Sequence, residues 1–382
     1  MGKTKRRKKV KIGYFDYSLL AVLICLVCFG LVMLYSVSAY SALVHYNDSM
    51  FYFKRQLFFC LAGFFGMYIV TKIDYHWYIK RSKALYMFSM FMMMLVQTPL
   101  GKEVNGARRW IRLPFGQQLQ PAEITKIAVI LFIPVLICQM GKKIQTLKGI
   151  TCVLVWGGIA SAGVLFLTDN LSTALIVAGI TCFLIFVVHK KTAPFMVLAG
   201  GGLAFIIVVT QIIGVTMKTS ENFRLRRIIS WLHPEEYASE GAYQTLQGLY
   251  AIGSGGFFGK GLGNSAQKMI IPEVQNDMIL SVICEELGVF GAIVILILFG
   301  MLLYRLMFIA RNAPDLYGSL IVTGIFAHIA LQVILNVAVV TNTIPNTGII
   351  LPFISYGGTS ILFLMAEMGI ALGVSSKIKF EM

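Results

Sequence analysis

Charged residues are scarce in this chain. Asp, Glu, Lys and Arg make up 13% of its 382 residues, whereas hydrophobic residues make up 57%. Soluble globular chains are about 25% charged and about 45–50% apolar. A chain of this size cannot hide so many apolar side chains in a water-facing fold, so lipid must solvate much of its exterior. The scarcity of charge therefore argues against a water-soluble protein.

The sequence also lacks the patterns of a disulfide framework, a metal site or a nucleotide-binding loop. Its seven cysteines all lie in apolar runs, where they act as small packing residues. Cys25 and Cys28 form a CxxC without a second pair of ligands. The glycine-rich stretch from Gly253 to Gly263 does not fit a P-loop, and no strand precedes it as in a dinucleotide-binding loop. It indicates tight turns or close approach to a ligand.

Acidic residues are outnumbered by basic ones, 17 against 33, which gives a net charge of +16. In a soluble protein this excess would suggest nucleic-acid binding, but its placement argues otherwise. Seven basic residues lie in the first eleven positions, before an apolar run from about Leu19 to Tyr35 that no cleavage site follows. We interpret residues 1–15 as a basic cytoplasmic tail before a retained first span, and we expect no nucleic-acid partner.

Apolar stretches along the chain predict about ten membrane-spanning helices, each of which needs about 20 residues. They begin near residues 18, 57, 84, 121, 150, 173, 194, 277, 315 and 360. Residues 169–171, of which Asp169 and Asn170 are polar, separate the fifth from the sixth. The predicted fold class is an all-α polytopic membrane protein, with a single domain at 16–376 and a cytoplasmic C-terminal tail at 377–382.

Loop charges predict the orientation. Alternate loops, counted from the N-terminus, contain 20 of the 33 Lys and Arg residues, which places both termini in the cytoplasm. The opposite loops contain 12, nearly all in two long segments, 99–120 and 217–276, before the fourth and eighth helices. Long translocated segments are largely exempt from the topology rule. Their charges indicate either simple solvation or an anionic substrate outside the membrane.

The first long outer segment contains a basic and aromatic cluster. Arg108 and Arg112 would share one helix face, and Trp110 between them fits an interfacial helix on the outer leaflet. Arginine suits phosphate oxygens because its planar fork donates two hydrogen bonds at once. Arg108, Arg109 and Arg112 therefore indicate contact with either a phosphorylated substrate or lipid headgroups.

Charged residues at and inside the predicted spans are functional candidates because they are costly to bury. Pro121 is typical of a first helical position, Glu123 lies in the first turn, and Lys126 follows on the same face. The last two form either a structural ion pair or part of a site. Asp277 begins the eighth span, as a helix N-cap or as a functional carboxylate.

Further polar residues are predicted deeper in the membrane. Glu285 and Glu286 would lie roughly 12–13 Å below Asp277 in a regular helix, and they cannot both face one cavity. Acidic residues at this depth indicate a polar interior or an ion path. Other polar residues predicted inside the spans are interpreted mainly as sources of hydrogen bonds between helices, namely Gln211, His328, Gln332, Asn336 and Glu367.

Several motifs follow one another in an order typical of one bacterial family. They are Asn105–Ile111, Gln120–Glu123 with Lys126, Ala251–Gly263, Pro272–Glu273 with Asp277, Glu285–Gly288 and Leu351–Ser360. Over essentially its whole length the chain resembles the SEDS (shape, elongation, division and sporulation) proteins. Within the family it is most similar to the division member, FtsW, with RodA- and SpoVE-type members as alternatives. Departures from the family pattern at Ala122, Met278 and Thr359 spare the charged positions.

The resemblance implies a peptidoglycan glycosyltransferase that polymerises lipid II at the outer face of the bacterial cytoplasmic membrane, at the division septum. It marks Asp277 as the catalytic carboxylate. Lys126 would help to hold the pyrophosphate, and Glu123 would position Lys126 or help to bind a divalent cation, Mg²⁺ or Mn²⁺. The substrate-binding candidates are Arg108, Arg109, Trp110, Gln120, Lys260, Ser355 and Tyr356.

The implied partners are a class B penicillin-binding protein with transpeptidase activity and other membrane proteins of the division complex. Two alternatives to the polymerase stay open. A lipid II flippase would use the intramembrane charges Lys126, Glu285, Glu286 and Glu367 as a path. A carrier is expected to have a midplane site and often two similar halves, and no internal repeat is visible. A non-catalytic scaffold would not need the charges near residues 99–126 and 277.

Overall fold

The computed structural model describes residues 11–104, 107–112, 118–216, 223–237 and 242–381. Within these ranges a long helix begins near each of the ten predicted positions, and the largest difference is seven residues, at Trp77 against 84. These helices are α1 Tyr17–Tyr46, α2 Phe51–Lys72, α3 Trp77–Leu95, α4 Pro121–Met140, α5 Leu147–Leu167, α6 Leu171–Val188, α7 Ala193–Thr216, α10 Ile279–Asn312, α11 Leu316–Val340 and α12 Ser360–Ser375.

The helices agree with the predicted class, an all-α polytopic membrane protein. In the described part of the chain, seven are long and apolar enough to cross a membrane by length and composition, namely all but α3, α7 and α12. Two shorter helices, α8 (Phe223–Leu232) and α9 (Tyr243–Gly255), lie in the long predicted outer segment. The orientation of the bundle in a membrane stays a prediction.

Local capping explains where several helices begin. The side chains of Asp16, Asn170 and Asp315 each accept a hydrogen bond from the backbone N–H three residues later, at 2.8–3.1 Å. Pro121 takes the first position of α4, as predicted. The cap at Asn170 confirms that the polar residues Asp169 and Asn170 divide two helices.

The central helices are α4 and α11. In the apolar stretch of each candidate span, the buried share of residues is largest in these two of the seven, at 61% in α4 and 67% in α11. Helix α4 packs against α3, α5, α6, α11 and α12, and α11 packs against α4, α6, α9, α10 and α12. On one side α2 packs closely against α12 and α1. Side chains on α4 and α11 are therefore the ones most removed from lipid.

One end of the bundle, which we call the terminal end, joins the two predicted tails. Strand β1 (Lys11–Gly13) pairs antiparallel with strand β5 (Lys379–Glu381). Below them the buried Asp16 forms an ion pair with Arg305 at 2.8 Å. The opposite end, which we call the loop end, contains α8, the start of α9 and the irregular loop 341–359.

The expected interfacial helix in segment 99–120 is wrong. The described residues form a three-stranded antiparallel sheet of β2 (Gly101–Val104), β3 (Ala107–Arg112) and β4 (Gln118–Leu119). Trp110 and Ile111 favour a strand, and a helix turn and a strand both place Arg108 and Arg112 on one face. The spacing of the two arginines therefore fits either structure, and the pairing of β3 with β2 decides between a helix and a strand.

Helix α10 is broken at Gly288, whose φ of +70° and ψ of −170° are not helical. The glycine-rich segment 256–263 lies against this break. The backbone N–H of Lys260 donates to the carbonyl of Glu285 at 2.9 Å, and that of Val289 donates to the carbonyl of Gly256 at 3.0 Å. The segment thus supplies hydrogen bonds that a continuous helix would make itself. Helix α9, which ends where this segment begins, packs against α10.

The two glutamates before the break are fully buried and paired with different lysines. Glu285 lies 2.6 Å from Lys260 and accepts further hydrogen bonds from the segment that follows, including one from the Ser265 hydroxyl. Glu286 lies 3.3 Å from the buried Lys268 and accepts a hydrogen bond from Ser36 of α1 at 2.6 Å. The two carboxylates thus face different partners, as the helical spacing predicts, and they hold the glycine-rich segment in place.

Removing one member of a buried ion pair leaves the other charge without compensation. We expect Glu286→Leu and Lys268→Met each to destabilise the protein by about 3–5 kcal/mol, and the double variant to lose less than the sum. Unfolding in mixed micelles, followed by circular dichroism, measures all three. Additive losses would show that the two side chains do not stabilise each other.

Candidate functional site

Asp277 lies at the loop end, two residues before α10, and its side chain is 7% exposed. The N-cap position of α10 is Met278, so the N-cap interpretation of Asp277 is wrong. Its carboxylate accepts a hydrogen bond from the amide of Gln244 on α9 at 3.3 Å. Its backbone carbonyl accepts one from Asn336 on α11 at 2.9 Å. The residue is therefore held between two helices, with its carboxylate free of a capping role.

Loop 341–359 forms one wall of this site. Asn346 donates to the side-chain oxygen of Gln244 at 3.1 Å. A Cβ atom placed on Gly348 would lie 3.9 Å from an Asp277 carboxylate oxygen, so this glycine borders the carboxylate. Farther along the loop, the N–H of Tyr356 donates to the carbonyl of Gln275 at 2.9 Å. Loop 341–359 therefore packs against the segment that leads into α10.

Arg227 lies close to Asp277, and Arg109, from a separate element, lies close to Arg227. Arg227 on α8 donates to the carbonyl of Asn346 at 3.2 Å, and its guanidinium is close enough to influence Asp277 electrostatically. Arg109 on β3 donates to the carbonyl of Asp169 at 3.0 Å. Burial and the neighbouring Arg109 lower the pKa of Arg227, whereas Asp277 acts in the opposite direction. The site thus combines one carboxylate with two guanidinium groups.

An irregularity in the strand pairing distinguishes Arg109 from its neighbours. On β3, Trp110 is paired with Lys102 and Arg108 with Glu103, so Arg109 is an extra residue between two paired ones. Such a bulge turns a side chain away from its regular direction and is common beside active sites. Here Arg109 reaches the junction between α5 and α6 at Asp169.

Burial raises the pKa of the Asp277 carboxyl group to about 6, and the nearby Glu273 acts in the same direction. Arg227 and the hydrogen bond from Gln244 lower it, but by less than burial raises it. A carboxylate with this pKa is largely ionised at neutral pH, yet it binds a proton far better than an exposed aspartate does. That combination suits a general base.

The raised pKa also predicts a change in stability. Because the folded state binds the proton more tightly than the unfolded state, stability falls as the pH rises from about 4 to 6, and the full loss persists above. A shift of two units corresponds to about 3 kcal/mol. We therefore expect Asp277→Asn to raise the melting temperature in detergent at pH 7.5 and to have much less effect at pH 4.5. A melting temperature unchanged at both pH values would contradict a raised pKa.

The predicted ion pair of Glu123 and Lys126 is present at the start of α4, with 2.9 Å between the carboxylate and the ammonium group. Both residues are buried, at 6% and 2% exposed. The preceding strand β4 is tied to loop 341–359, because the Thr359 hydroxyl donates to the carbonyl of Gln118 at 2.9 Å. The strand that precedes the pair thus contacts the same loop as Asp277.

The other predicted substrate-binding residues are divided between two regions. Arg108 is half-exposed and lies 3.4 Å from Glu103, and Trp110 and Gln120 are partly buried beside it in the sheet and at the start of α4. Lys260 instead points to Glu285 at the glycine-rich segment. The roles of these residues stay predictions.

Ser355 and Tyr356 shape loop 341–359. The Ser355 hydroxyl accepts a hydrogen bond from the N–H of Leu351 at 2.9 Å, and the side chain is buried. The ring of Tyr356 packs edge-on against Tyr52 at 5.0 Å between centroids. Gln56 on α2 holds the backbone on both sides of Tyr356. Ser355 and Tyr356 therefore stabilise the conformation of loop 341–359. Their contact with substrate stays a prediction.

Four residues at the site are not predicted from the sequence, namely Arg227, Gln244, Asn336 and Asn346. Arg227 stands near two other arginines in the second outer segment, and no pattern distinguishes it from them. The sequence predicts that Asn336 links two helices, but its side-chain amide donates to the backbone carbonyls of Asp277 and Ile349. These assignments depend on which loops fold over the start of α10, which local patterns do not specify.

Comparison with known proteins identifies the family. The family model described as "Cell cycle protein", which joins FtsW, RodA and SpoVE, matches residues 16–379. The chain belongs to this family. An FtsW/RodA/SpoVE member from Trichlorobacter lovleyi, named a probable peptidoglycan glycosyltransferase FtsW, is 37% identical over 98% of this chain and 96% of its own length. Stage V sporulation protein E of Bacillus subtilis is 38% identical over 94% of this chain and 96% of its own length.

Solved structures of the FtsW/RodA/SpoVE family show the same architecture. One chain, from a structure described as "Structural coordination of polymerization and crosslinking by a peptidoglycan synthase complex", is 26% identical. It has a TM-score of 0.77 and covers 94% of this chain and 97% of that one. RodA of Thermus thermophilus is 24% identical, has a TM-score of 0.66 and covers 94% and 96%. The resemblance to the SEDS family is thus confirmed.

Proposed function

We propose that the protein is a peptidoglycan glycosyltransferase that polymerises lipid II at the outer face of the cytoplasmic membrane during cell division. The observation that supports it most is the buried Asp277 at the loop end beside Arg227, which in turn lies close to Arg109. The relatives named as peptidoglycan glycosyltransferases align over nearly the whole chain. A charged site at one end of an apolar bundle suits a substrate with a lipid tail and a water-exposed head.

In this proposal Asp277 is the general base. Its carboxylate takes the proton from a hydroxyl group of the acceptor sugar as that oxygen attacks the anomeric carbon of the donor. The bond between this carbon and the pyrophosphate oxygen breaks, and the configuration at carbon inverts. Gln244 orients the carboxylate through its 3.3 Å hydrogen bond.

The leaving group is undecaprenyl pyrophosphate, whose negative charge grows as the bond breaks. Arg227, which is close to Asp277, and Arg109, which is close to Arg227, supply the positive charge that stabilises this developing negative charge. Lys126 is a third candidate for the pyrophosphate, with Glu123 as the group that orients it at 2.9 Å. The polyprenyl tail would lie between the membrane-spanning helices.

A divalent cation, Mg²⁺ or Mn²⁺, is part of the proposal. Among the described residues no three His, Cys, Asp or Glu side chains converge as a metal site. Glu123, whose carboxylate lies 2.9 Å from Lys126, is the carboxylate proposed to help bind the cation. Mg²⁺ is typically held by one or two carboxylates together with substrate phosphates. Glu123 therefore fits a cation bound mainly through the pyrophosphate, which would neutralise part of its charge.

The proposed orientation places both termini in the cytoplasm and the loop end outside, in accordance with the distribution of basic residues. The proposed partner is a class B penicillin-binding protein, because a chain of similar fold was solved in a peptidoglycan synthase complex. Other division-complex proteins and a septal location belong to the same proposal.

The decisive experiment is polymerisation of fluorescent lipid II by the purified protein, with and without its cognate transpeptidase, and with products separated on a gel. We expect glycan strands that a muramidase digests. Absence of strands with the partner present would reject the polymerase. A parallel liposome assay that follows access of lipid II to an external quencher would then separate flipping from a pure scaffold.

A further inference from the structure

An open groove runs along α5 from its first turn to the middle of the helix. Its volume is about 440 Å³, within the range of about 300–1,000 Å³ that is typical of ligand sites. Lys148 and Thr151 are its polar lining residues, and the others are Leu147, Cys152, Val155 and Trp156. From Lys148 to Trp156 the helix rises about 12 Å, close to the roughly 15 Å of hydrocarbon in one leaflet. The groove thus has the length and the lining for a lipid chain.

Aromatic packing holds the deep end of the groove in place. Trp156 packs edge-on against Tyr86 of α3, with ring centroids 5.6 Å apart, and against Phe132 of α4, at 5.5 Å. The Tyr86 hydroxyl donates to the carbonyl of Trp156 at 2.6 Å. Because side chains from two neighbouring helices fix this ring, the groove is formed before a ligand enters, and binding requires little ordering of the protein.

The other end of the groove lies in a compact turn at the terminal end of the bundle. A 3₁₀ turn, Gly141–Gln145, follows α4, and Thr146 caps α5. The Gln145 side chain links this turn to the connection between α6 and α7. Its amide donates to the carbonyl of Val188 at 3.0 Å, and its oxygen accepts a hydrogen bond from the N–H of Lys190 at 3.0 Å. Two connections that are distant in the sequence thus form one surface.

Five lysines share this surface, and the chain segments that form it contain no acidic residue. The sequence has no Asp or Glu between Glu123 and Asp169 or between Asp169 and Glu221. The five are exposed, and within the described ranges none of them forms an ion pair: Lys142, Lys143, Lys148, Lys190 and Lys191. Elsewhere at the terminal end, Lys377 is paired with Asp74 at 3.2 Å. An anionic ligand would therefore find uncompensated positive charge beside the groove.

The groove faces the membrane rather than the protein interior. Its lining residues Leu147 and Val155 are 82% and 52% exposed, and exposed apolar side chains on a membrane helix are solvated by lipid. An acidic soluble protein would reach the lysines but not Trp156, which lies about 12 Å deeper. A lipid supplies both an anionic group and a chain, so it is the ligand class that fits both parts of the surface.

We propose that the groove and the five lysines bind one anionic phospholipid of the leaflet at the terminal end. Its phosphate lies among the lysines near Lys148, and one acyl chain follows the groove to Trp156. Basic loops alone are explained by membrane orientation, and an apolar groove alone would hold any bulk lipid. Their coincidence indicates selection of a headgroup, as in other basic pockets at membrane helices. The inference goes beyond the proposed glycosyl transfer and does not depend on it.

The test uses the full chain in mixed micelles and phosphatidylglycerol with brominated acyl chains, which quench tryptophan fluorescence on contact. Phosphatidylcholine with the same chains is the neutral reference lipid. We expect phosphatidylglycerol to quench at a lower mole fraction than phosphatidylcholine. This difference should disappear in Trp156→Phe, which keeps an aromatic ring in the groove, and it should weaken as the ionic strength rises.

Two double variants separate the site from a general effect of charge. Lys143→Gln with Lys148→Gln should lower the affinity for phosphatidylglycerol about fivefold for each lysine and leave that for phosphatidylcholine unchanged. Arg311→Gln with Lys379→Gln is the matched control, because it removes two exposed positive charges from α10 and β5, whereas α5 packs against α3, α4 and α6. It should retain the wild-type affinity. Both proteins should melt at the wild-type temperature, because the substituted side chains are exposed.

Three results would overturn the proposal. Equal quenching of the wild type by both lipids would show that the groove holds bulk lipid without selecting a headgroup. Equal losses of affinity in the two double variants would show an effect of net charge rather than a site. Displacement of brominated phosphatidylglycerol by undecaprenyl phosphate at a tenfold lower mole fraction would show that the groove selects a polyprenyl lipid instead.

Discussion

Asp277→Asn is expected to lower the rate of lipid II polymerisation by about 10²–10⁴-fold, the usual contribution of a general base. Asparagine has nearly the same shape and can keep the hydrogen-bonding contact with Gln244, but it cannot accept the proton of the attacking hydroxyl group. The loss should appear in kcat more than in KM, because the carboxylate acts as the hydroxyl group reacts. Single-turnover gel assays with fluorescent lipid II measure it.

The pH profile gives an independent test of the same carboxylate. Asp277 works in its ionised form, and burial raises its pKa to about 6. Activity should therefore be full at neutral pH and fall as the pH drops through about 6. Glu273 raises this pKa and is exposed, so Glu273→Gln should move the midpoint to lower pH while retaining the maximal rate. A profile governed by a group near pH 4 would contradict the burial of the base.

Folding has to be separated from chemistry in this comparison. The Asn variant should elute as a monodisperse protein, bind its transpeptidase and melt at a temperature no lower than that of the wild type. Polymerisation at the wild-type rate by such a protein would remove Asp277 from the mechanism.

Gly288→Ala is expected to destabilise the protein by about 3–5 kcal/mol, among the largest effects of a single methyl group. The φ of +70° and ψ of −170° belong to a region that is essentially limited to glycine. An added Cβ would also overlap the backbone carbonyl oxygen of Phe257 and the backbone nitrogen of Gly259. Since both neighbours are backbone atoms, no side chain can move to relieve the clash.

Gly253→Ala is the matched control for this glycine. It lies in α9 with no atom within 4 Å of an added Cβ, and its φ is ordinary. Alanine there should stabilise the helix by about 0.5–1 kcal/mol. Denaturation in mixed micelles compares the two variants. Equal stability of both would show that the break in α10 does not depend on glycine.

The positions of the helices could be predicted from the sequence because each apolar run is long and bounded by a polar or capping residue. The turn at Asp169 and Asn170 and the first turn of α4 follow from the same local chemistry. The break at Gly288 could not be predicted in this way. It depends on a segment about 30 residues earlier in the chain, whose backbone completes the interrupted hydrogen bonds.

The sheet of segment 99–120 shows a different limit. Arg108, Trp110 and Arg112 fit one face of a strand, and Arg108 and Arg112 also fit one face of a helix. The pairing of Ile111 with both Gly101 and Leu119 decides between them, and it is not a local property. In the candidate site, Asp277 could be predicted because an acidic residue at the start of a span is unusual. Arg227 and Asn346 could not be predicted, because they belong to the site only through the packing of α8 against loop 341–359.

The pairing of β1 with β5 has a consequence for biosynthesis. A ribosome makes the strand Lys379–Glu381 after all the described helices, yet the N–H of Tyr14 donates to the carbonyl of Ile378 and the N–H of Asp16 donates to the hydroxyl of Ser375. The contacts at the start of α1 therefore stay unmade until residues 375–381 have been synthesised. Nascent chains stalled before α12 should leave the segment before α1 open to proteases, and synthesis through β5 should close it.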